Sequence, residues 1–451
     1  AAYVVADDAR LSSVFGACAA ASTVDTACLD GFLDGFARRI LRRPLTVSEK
    51  SFSRDLLTTG PGNDREQLGA VLSYLLASPH FLWRIEVGER SDDGRIVLTP
   101  YEVATRIAYV FTNSTPDASL HRKAENGELG TVTAIRDEAR RLLSSPRGRD
   151  KLASGIARWS LMDRTADLSN LPSEILQGAD TDTLSEAMIR EAREFIDTVV
   201  FDNGATFEEL LTSPLSFAQD PELASIYGHS PASPGAPATM SERRRGLLLR
   251  APALTSTGPR ASIINRGVDI QLRILCNEIP EPNVDIADAR DNNEPSEEEQ
   301  LTMSNRDVVA ATTSAAVCQA CHATINPTGF VFEAFDSMGR IRESEQVFDH
   351  SGGLHGNVEI DTSADVPLPE GGFVSMSDAY DFVGWVAESD VGKACFARNM
   401  MRYLTERDET PGDECNLNSA ASVLLDPSTP IVDLVVEALV HDDFLTKQLT
   451  L

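Results

Sequence analysis

The chain has 451 residues, of which 42% are hydrophobic, so it can bury a substantial core and form roughly two to four domains or one extended helical body. Its formal net charge of −29 argues against binding to nucleic acid or to an anionic membrane surface, because both need a basic patch. No segment predicts a membrane span, since the longest apolar candidate, 70–83, is too short and contains Pro79.

Helical patterns dominate the first 280 residues. Apolar residues recur at helical spacing over 29–40. Capping boxes predict helix starts at Thr46 and Thr99, and Asn63 opens another helix. Strand signals are few, and the best is Arg95–Leu98. Further amphipathic helices are predicted at Ala134–Leu143, Lys151–Leu161 and Leu184–Val200, with Asp150 and either Asp182 or Thr183 as caps.

An acidic, proline-containing stretch at 281–303 predicts a linker between this helical body and the C-terminal part of the chain. A loop is expected from Arg340 to about Gly372, and closing helices are predicted at Ser377–Glu388, Gly392–Thr405 and Val432–Val440. We therefore predict an all-α fold with few short strands. Its parts would be an N-terminal helical segment (1–62), a helical body (63–280), the linker (281–303) and a C-terminal domain (304–451).

The sequence Cys318-Gln319-Ala320-Cys321-His322 has the order of a c-type haem attachment site. On a helical turn both thiols share a face and reach the two porphyrin vinyl groups, and His322 then supplies the proximal nitrogen to iron. We therefore predict one covalent haem c in the C-terminal domain, which would make that domain cytochrome-c-like. Two alternatives stay open. A zinc site would need a fourth ligand from a second close pair, and redox thiols usually follow a strand in a βαβ unit; the sequence shows neither pattern.

The residues after the motif predict packing around a haem. Pro327 is expected to break the helix in a turn whose backbone carbonyls accept the Nδ1–H of His322. Phe330, Phe332 and Phe335 are candidates to cover a porphyrin face, although for any one of them ordinary core packing is the stronger alternative. Pro327 and Phe330 are our candidate haem-contact residues.

The motif and its flanks also carry a family resemblance. Residues 318–330, continuing into 332–340, resemble a large family of planctomycete- and myxobacterial-type secreted proteins that carry a cytochrome-c-like segment near the C-terminus. Most members are known only as domains of unknown function. Other segments resemble the family in the same order: Phe36–Arg39 with Arg42–Thr46, Ser78–Glu86, Arg266–Gly267 before Leu275–Cys276, and Cys395–Phe396 with Arg402–Leu404. The resemblance covers nearly the whole chain and implies a secreted haem protein without a settled reaction.

Five cysteines lie outside the motif. We expect disulfides Cys18–Cys28 and Cys395–Cys415 across short polar loops, with Cys276 unpaired; buried free thiols are the alternative. Haem c is attached outside the cytoplasm, where disulfides also persist, so we expect a periplasmic or extracellular protein. The start at Ala1 shows no signal peptide, and we expect the precursor to carry one. Association with an outer membrane through a segment preceding Ala1 is the alternative location.

The sequence leaves the sixth iron ligand open. Met376, downstream of the motif and just before a helix, is preferred over Met338 as a distal metal ligand beside the proximal His322. His80, His350 and His355 are alternatives.

One haem and no recognisable catalytic acid–base cluster favour an electron-transfer cytochrome with a redox partner protein. The large helical body leaves two alternatives: a haem enzyme of peroxidase or oxygenase type with an open distal site, or a haem-stapled subunit of a larger complex. Nothing in the sequence supports Ser256 or Ser262 as a nucleophile, and the arginine run 243–245 predicts a solvated helix start.

Overall fold

The structure is a computed structural model that describes residues 1–447 apart from 22, 93, 242, 281–292, 350–352, 411–412, 414–425 and 427. The chain forms two compact units, Ala1–Gly148 with Val440–Leu451, and Arg149–Leu439. In the described part, no helix combines the length and the apolar character needed to cross a bilayer.

The first unit is helical, with a short antiparallel hairpin formed by β1 (Glu89–Arg90) and β2 (Ile96–Val97). A π-helical turn at Leu33–Ala37 and 3-10 turns at Ala17–Ala20 and Asp442–Leu445 complete it. Its α-helices are α1 (Ala2–Val5), α2 (Asp8–Phe15), α3 (Thr26–Phe32), α4 (Arg38–Leu41), α5 (Val47–Thr59), α6 (Asp64–Leu76), α7 (Pro79–Leu82), α8 (Pro100–Thr112), α9 (Ala118–Glu125) and α10 (Val132–Leu143).

Polar side chains set the helix starts in this unit. Thr46 with Glu49, and Thr99 with Glu102, form both arms of a capping box, which confirms the two predicted starts. Asn63 caps α6 in the same way. Each cap satisfies backbone N–H groups that the first helical turn leaves without an intrahelical partner.

An apolar cluster holds the first unit together. The rings of Phe15 and Phe32 stack with centroids 4.1 Å apart, and Leu29 and Leu68 are fully buried beside them. The disulfide Cys18–Cys28 closes the loop between α2 and α3, as predicted.

The described part of the second unit contains more helices and three antiparallel strand pairs. The π-helical turns Asp197–Asp202 and Ile270–Ile274 extend two of its helices, and β3 (Leu215–Ser216) pairs with β4 (Ala238–Thr239). Its α-helices are α11 (Pro146–Trp159, which begins in the first unit), α12 (Ser173–Leu176), α13 (Thr181–Ile196), α14 (Phe207–Thr212), α15 (Pro221–Ile226), α16 (Ala251–Leu254), α17 (Ile263–Asp269), α18 (Glu297–Gln300), α19 (Asn305–Thr312), α20 (Ala316–Phe330), α21 (Ala379–Glu388), α22 (Asp390–Thr405) and α23 (Ile431–Leu439).

Several predicted boundaries in this unit were wrong. The cap of α13 is Asp180, whose extended backbone lets its carboxylate accept the N–H of Thr183 at 2.8 Å. Asp150 lies inside α11, because that helix already begins at Pro146, where proline fixes a helical φ. The closing helices α21, α22 and α23 are confirmed within two residues at each end.

The loop predicted after Arg340 forms two antiparallel hairpins instead. In the first, β5 (Ser344–Phe348) pairs with β6 (Leu354–Glu359); in the second, β7 (Ala364–Pro367) pairs with β8 (Phe373–Met376). Neither face of β6 is buried, so that strand lacks the alternation of polar and apolar residues from which a strand is predicted.

The prediction that the arginine run 243–245 is solvated holds for the exposed Arg243 but was wrong for Arg244, which is 1% exposed. Its guanidinium lies 5.0 Å from the ring centroid of Tyr227 and 5.1 Å from that of Phe335. It donates hydrogen bonds to the carbonyls of Leu249 and Gly339. Burial lowers the pKa of Arg244 to about 10, which still leaves it cationic at neutral pH.

Candidate functional site

Cys318, Cys321 and His322 lie on the single helix α20, called here the motif helix. Its two thiols are one turn apart, with Cys318 buried and Cys321 half-buried. Neither forms a disulfide, whereas the other four cysteines in the described part of the chain are paired. Both thiols are therefore free to form thioethers.

The motif helix does not break at Pro327 as predicted, but continues to Phe330. Proline in a helix interior removes one backbone hydrogen bond, and here packing of the motif helix against α17 outweighs that loss. The predicted backbone acceptor for His322 was consequently wrong as well. The Nδ1 atom of His322 bonds instead to the side-chain Oδ1 of Asn326, at 2.8 Å.

A buried hydrogen-bond chain fixes the orientation of the imidazole. Thr313 donates its hydroxyl hydrogen to the carbonyl of Val309 at 2.7 Å, so its oxygen accepts from Asn326 Nδ2 at 2.8 Å. The amide oxygen of Asn326 must then face His322 and accept the Nδ1–H. This assignment leaves the Nε2 lone pair of His322 as the available ligand, the arrangement that metal-binding histidines use.

Two glycines set the contact between the motif helix and α17. A Cβ on Gly267 would overlap the backbone oxygen of Ile325, and a Cβ on Gly329 would overlap that of Ile263. The two backbones therefore approach each other more closely than side chains would allow.

Gln271, on the π-helical turn after α17, ties the motif helix to the second hairpin. Its fully buried amide donates to Thr328 Oγ1 at 2.7 Å and to the carbonyl of Pro367, on β7, at 3.1 Å. Strand β7 itself packs against the motif helix. Met376 is the last residue of the partner strand β8 and is buried.

Arg266 holds the chain segment that follows the motif helix. It donates to the carbonyls of Phe332 at 3.2 Å, Phe335 at 3.1 Å and Asp336 at 3.1 Å, and also to that of Leu254. Burial lowers the pKa of Arg266 to about 10. Two of the segments that carry the family resemblance are thus brought into direct contact.

Other resembling segments are joined in the same way. Cys276 and Cys395 form a disulfide, so the predicted pairing of Cys395 with Cys415 and the unpaired Cys276 were wrong; Cys415 lies outside the described residues. The short sequence separation favoured the wrong partner, whereas packing of the turn after α17 against α22 brings the right one close. In the first unit, Arg42 donates to the carbonyls of His80 and Trp83.

The structure separates the candidate distal ligands. Met338 is fully buried in an apolar cluster of the second unit that also contains Met188. His80 belongs to the first unit, and His355 is exposed on β6; His350 lies outside the described residues. Met376, in the hairpin beside the motif helix, stays our preferred candidate.

The three phenylalanines after the motif are core residues. Phe332 meets the ring of Phe382 edge-on at 5.9 Å, and the guanidinium of Arg306 lies 4.4 Å from the ring centroid of Phe330. Phe335 contacts Arg244, as described above, and Pro327 is half-buried. Pro327 and Phe330 stay our predicted haem-contact residues.

Sequence analysis missed the buried carboxylates of this unit, among them Glu333 and Glu345. Burial raises the pKa of Glu333 to about 7, although Arg342, at 3.5 Å, opposes the shift. Glu345 accepts the backbone N–H of Asn305 at 2.7 Å and lies 3.5 Å from Arg260. Neither could be found from the sequence, because an isolated glutamate normally predicts a surface position.

In the described ranges, no group of three or more His, Cys, Asp or Glu side chains is placed to hold a metal ion.

Comparison with known proteins places two family matches on this chain. Residues 98–229 match PSD4, described as a protein of unknown function (DUF1592). Residues 244–345 match PSCyt3, described as a protein of unknown function (DUF1588). No curated protein and no solved structure matches the chain. Two regions of the chain thus match families of unknown function, and the second of these regions includes Arg266, the motif helix and the segment that Arg266 holds.

Proposed function

We propose that this protein is an extracytoplasmic monohaem c-type cytochrome that acts in electron transfer. Cys318 and Cys321 would bind the haem through thioethers, and Nε2 of His322 would be the proximal ligand. When bound, the haem would supply a one-electron couple whose potential depends on its axial ligands and on their hydrogen bonds. The chain's own residues would hold and orient the ligand.

The observation that carries this proposal is the chain from His322 through Asn326 to Thr313. A surface histidine gains little from a buried amide that fixes its tautomer, whereas an iron ligand gains a fixed ring orientation and a more basic nitrogen. The free, helically spaced thiols beside it fit covalent attachment, because the other described cysteines are oxidised. Those disulfides also support an extracytoplasmic location.

Met376 is the proposed distal ligand. It lies in the hairpin whose other strand, β7, packs on the motif helix, whereas the apolar packing around Met338 already surrounds that thioether. A methionine ligand would raise the potential and close the iron to exogenous ligands, as an electron carrier requires. The redox partner would present a basic surface, since this chain carries a net charge of −29.

The first test is covalent haem content after export with c-type maturation. We expect denatured wild-type protein to retain one haem on the peptide that contains Ala320, and Cys318→Ala/Cys321→Ala to retain none. The matched control is Cys18→Ala/Cys28→Ala, which also removes two cysteines and should keep the haem. Wild-type protein that carries no haem, or that carries zinc instead, would refute the proposal.

The second test addresses the distal ligand. Oxidised wild-type protein should show the thioether–iron charge-transfer band of His/Met ligation, and Met376→Ala should lose it while Met338→Ala keeps it. If both variants keep the band, another residue is the ligand. A high-spin wild-type spectrum would favour the enzyme alternative with an open distal site.

A further inference from the structure

The second unit contains a cavity of ≈ 190 Å³ between the end of α11, α16 and α17. Apolar side chains dominate one part of its lining: Leu248, Leu254, Ile270, Ile274 and Phe332. Polar side chains complete it, and they include Arg164, Ser256, Thr257, Asn265, Arg266 and Asp269.

Two buried donors in this lining are not fully used. Arg266 is 6% exposed, and its Nε has no hydrogen-bond partner in the described structure. Its other two nitrogens bind the backbone carbonyls named above. Ser256 accepts the N–H of Ser262 at 2.9 Å and donates its own hydroxyl hydrogen to no described residue. The Ser256 hydroxyl is therefore the donor that a ligand accepting a hydrogen bond in the cavity would satisfy, and Arg266 contributes its positive charge to the lining.

The charges around the cavity favour an anion. The hydrogen bonds of Arg266 in the described structure go to carbonyl oxygens, while the carboxylates of Glu333 and Asp336 interact with it electrostatically. No carboxylate of the described residues pairs with the exposed Arg164. The acidic lining residue, Asp269, already forms an ion pair with Arg273 at 3.2 Å. Among the lining residues themselves there are thus two arginines and one carboxylate, and that carboxylate is already paired with Arg273.

Cavity size limits the ligand. An apolar cavity of roughly 150 Å³ holds benzene, so ≈ 190 Å³ admits a single ring with a small polar group. We propose that this cavity binds a small organic carboxylate whose apolar body is about one ring in size. The ring would lie against Ile270, Ile274 and Phe332, and the carboxylate would face Arg266, Ser256 and Arg164. The proposal goes beyond electron transfer and does not need a haem.

Calorimetric titration of the full chain with benzoate and with its neutral isostere benzamide tests the proposal. We expect benzoate to bind, and benzamide to bind at least about tenfold more weakly, because charge-assisted hydrogen bonds are about twice as strong as neutral ones. Arg164→Gln should weaken benzoate binding about three- to tenfold, the range for a partly screened ion pair, and leave benzamide unchanged. Arg190→Gln, which removes an exposed arginine of α13 outside the cavity lining, is the matched control and should behave as wild type.

Ala253→Leu fills the cavity from its lining and should abolish binding of both probes. If that variant fails to fold, the benzoate–benzamide comparison and Arg164→Gln still decide the question. No benzoate binding by wild type, equal binding of both probes, or wild-type affinity in Arg164→Gln would each overturn the proposal. The titration is repeated with haem-free protein. Benzoate binding by that protein would support the cavity proposal even if the cytochrome proposal fails.

Discussion

Removing the Cys276–Cys395 disulfide should cost more stability than removing Cys18–Cys28, the other disulfide in the described part of the chain. The bridge spans 119 residues and encloses the whole motif helix. The chain-entropy relation gives about 16 cal/mol/K for a loop of this length, or about 4.9 kcal/mol at 25 °C. The Cys18–Cys28 bridge, with a separation of 10 residues, gives about 2.7 kcal/mol by the same relation.

The assay is urea unfolding of Cys276→Ala/Cys395→Ala in a Trp83→Phe/Trp385→Phe background, in which the fluorescence of Trp159 is followed. That ring is buried in the second unit, 4.9 Å from the ring of Phe396, so it reports on the unit that contains the bridge. We expect the free energy of unfolding to fall by about 4–5 kcal/mol. The urea m-value should rise, because the denatured chain without the bridge exposes more surface.

Cys18→Ala/Cys28→Ala is the control, and it should leave the Trp159 transition unchanged because its bridge lies in the first unit. A loss below about 2 kcal/mol in the Cys276 and Cys395 variant would refute the loop-entropy argument. Non-reducing peptide maps that join Cys395 to any other cysteine would refute the pairing itself.

Three further predictions concern the site. Asn326→Leu removes the acceptor of His322 Nδ1–H and should raise the reduction potential of the haem, whereas Asn326→Asp should lower it. Spectroelectrochemistry measures both potentials, and shifts of the same sign in the two variants would contradict the proposed hydrogen bond. Burial raises the pKa of Glu333 from 4.5 to about 7, so this group stabilises the fold fully below pH 4.5, and that stabilisation is lost as pH rises through 7. Between pH 4 and pH 8, the free energy of unfolding from urea titrations should therefore fall by about 3 kcal/mol less in Glu333→Gln than in wild type. The same fall in both proteins would contradict this prediction. Because the chain is strongly acidic, added salt should slow its reduction by a cationic complex and speed its reduction by an anionic complex. Stopped-flow rates that change in the same direction with both complexes would argue against electrostatic steering.

Local chemistry explains what the sequence could predict. The starts at Thr46 and Thr99 depend on side chains three residues apart, and the thiols of the motif on one helical turn, so each is decided within a few residues. The partner of His322 was also within reach. Asn326 is four residues on, hence on the same helix face, but the helix was taken to end at Pro327.

Contacts between distant segments account for what could not be predicted. Burial of Arg244 depends on rings at positions 227 and 335, and the pairing of Cys276 depends on a helix more than a hundred residues later. The cavity is lined by four separate stretches of chain, from Ser160 to Phe332. No pattern within a short window carries such information, because the relevant neighbours are set by tertiary packing.

The close contact between α17 and the motif helix at Gly267 and Gly329 determines how substitutions at these two positions combine. Either glycine changed to alanine forces α17 and the motif helix apart, because each new methyl group would meet a backbone oxygen of the other helix. The separation that relieves one overlap also relieves the other. The two substitutions should therefore be non-additive, with the double variant less destabilised than the sum of the single variants, since one backbone shift accommodates both methyl groups.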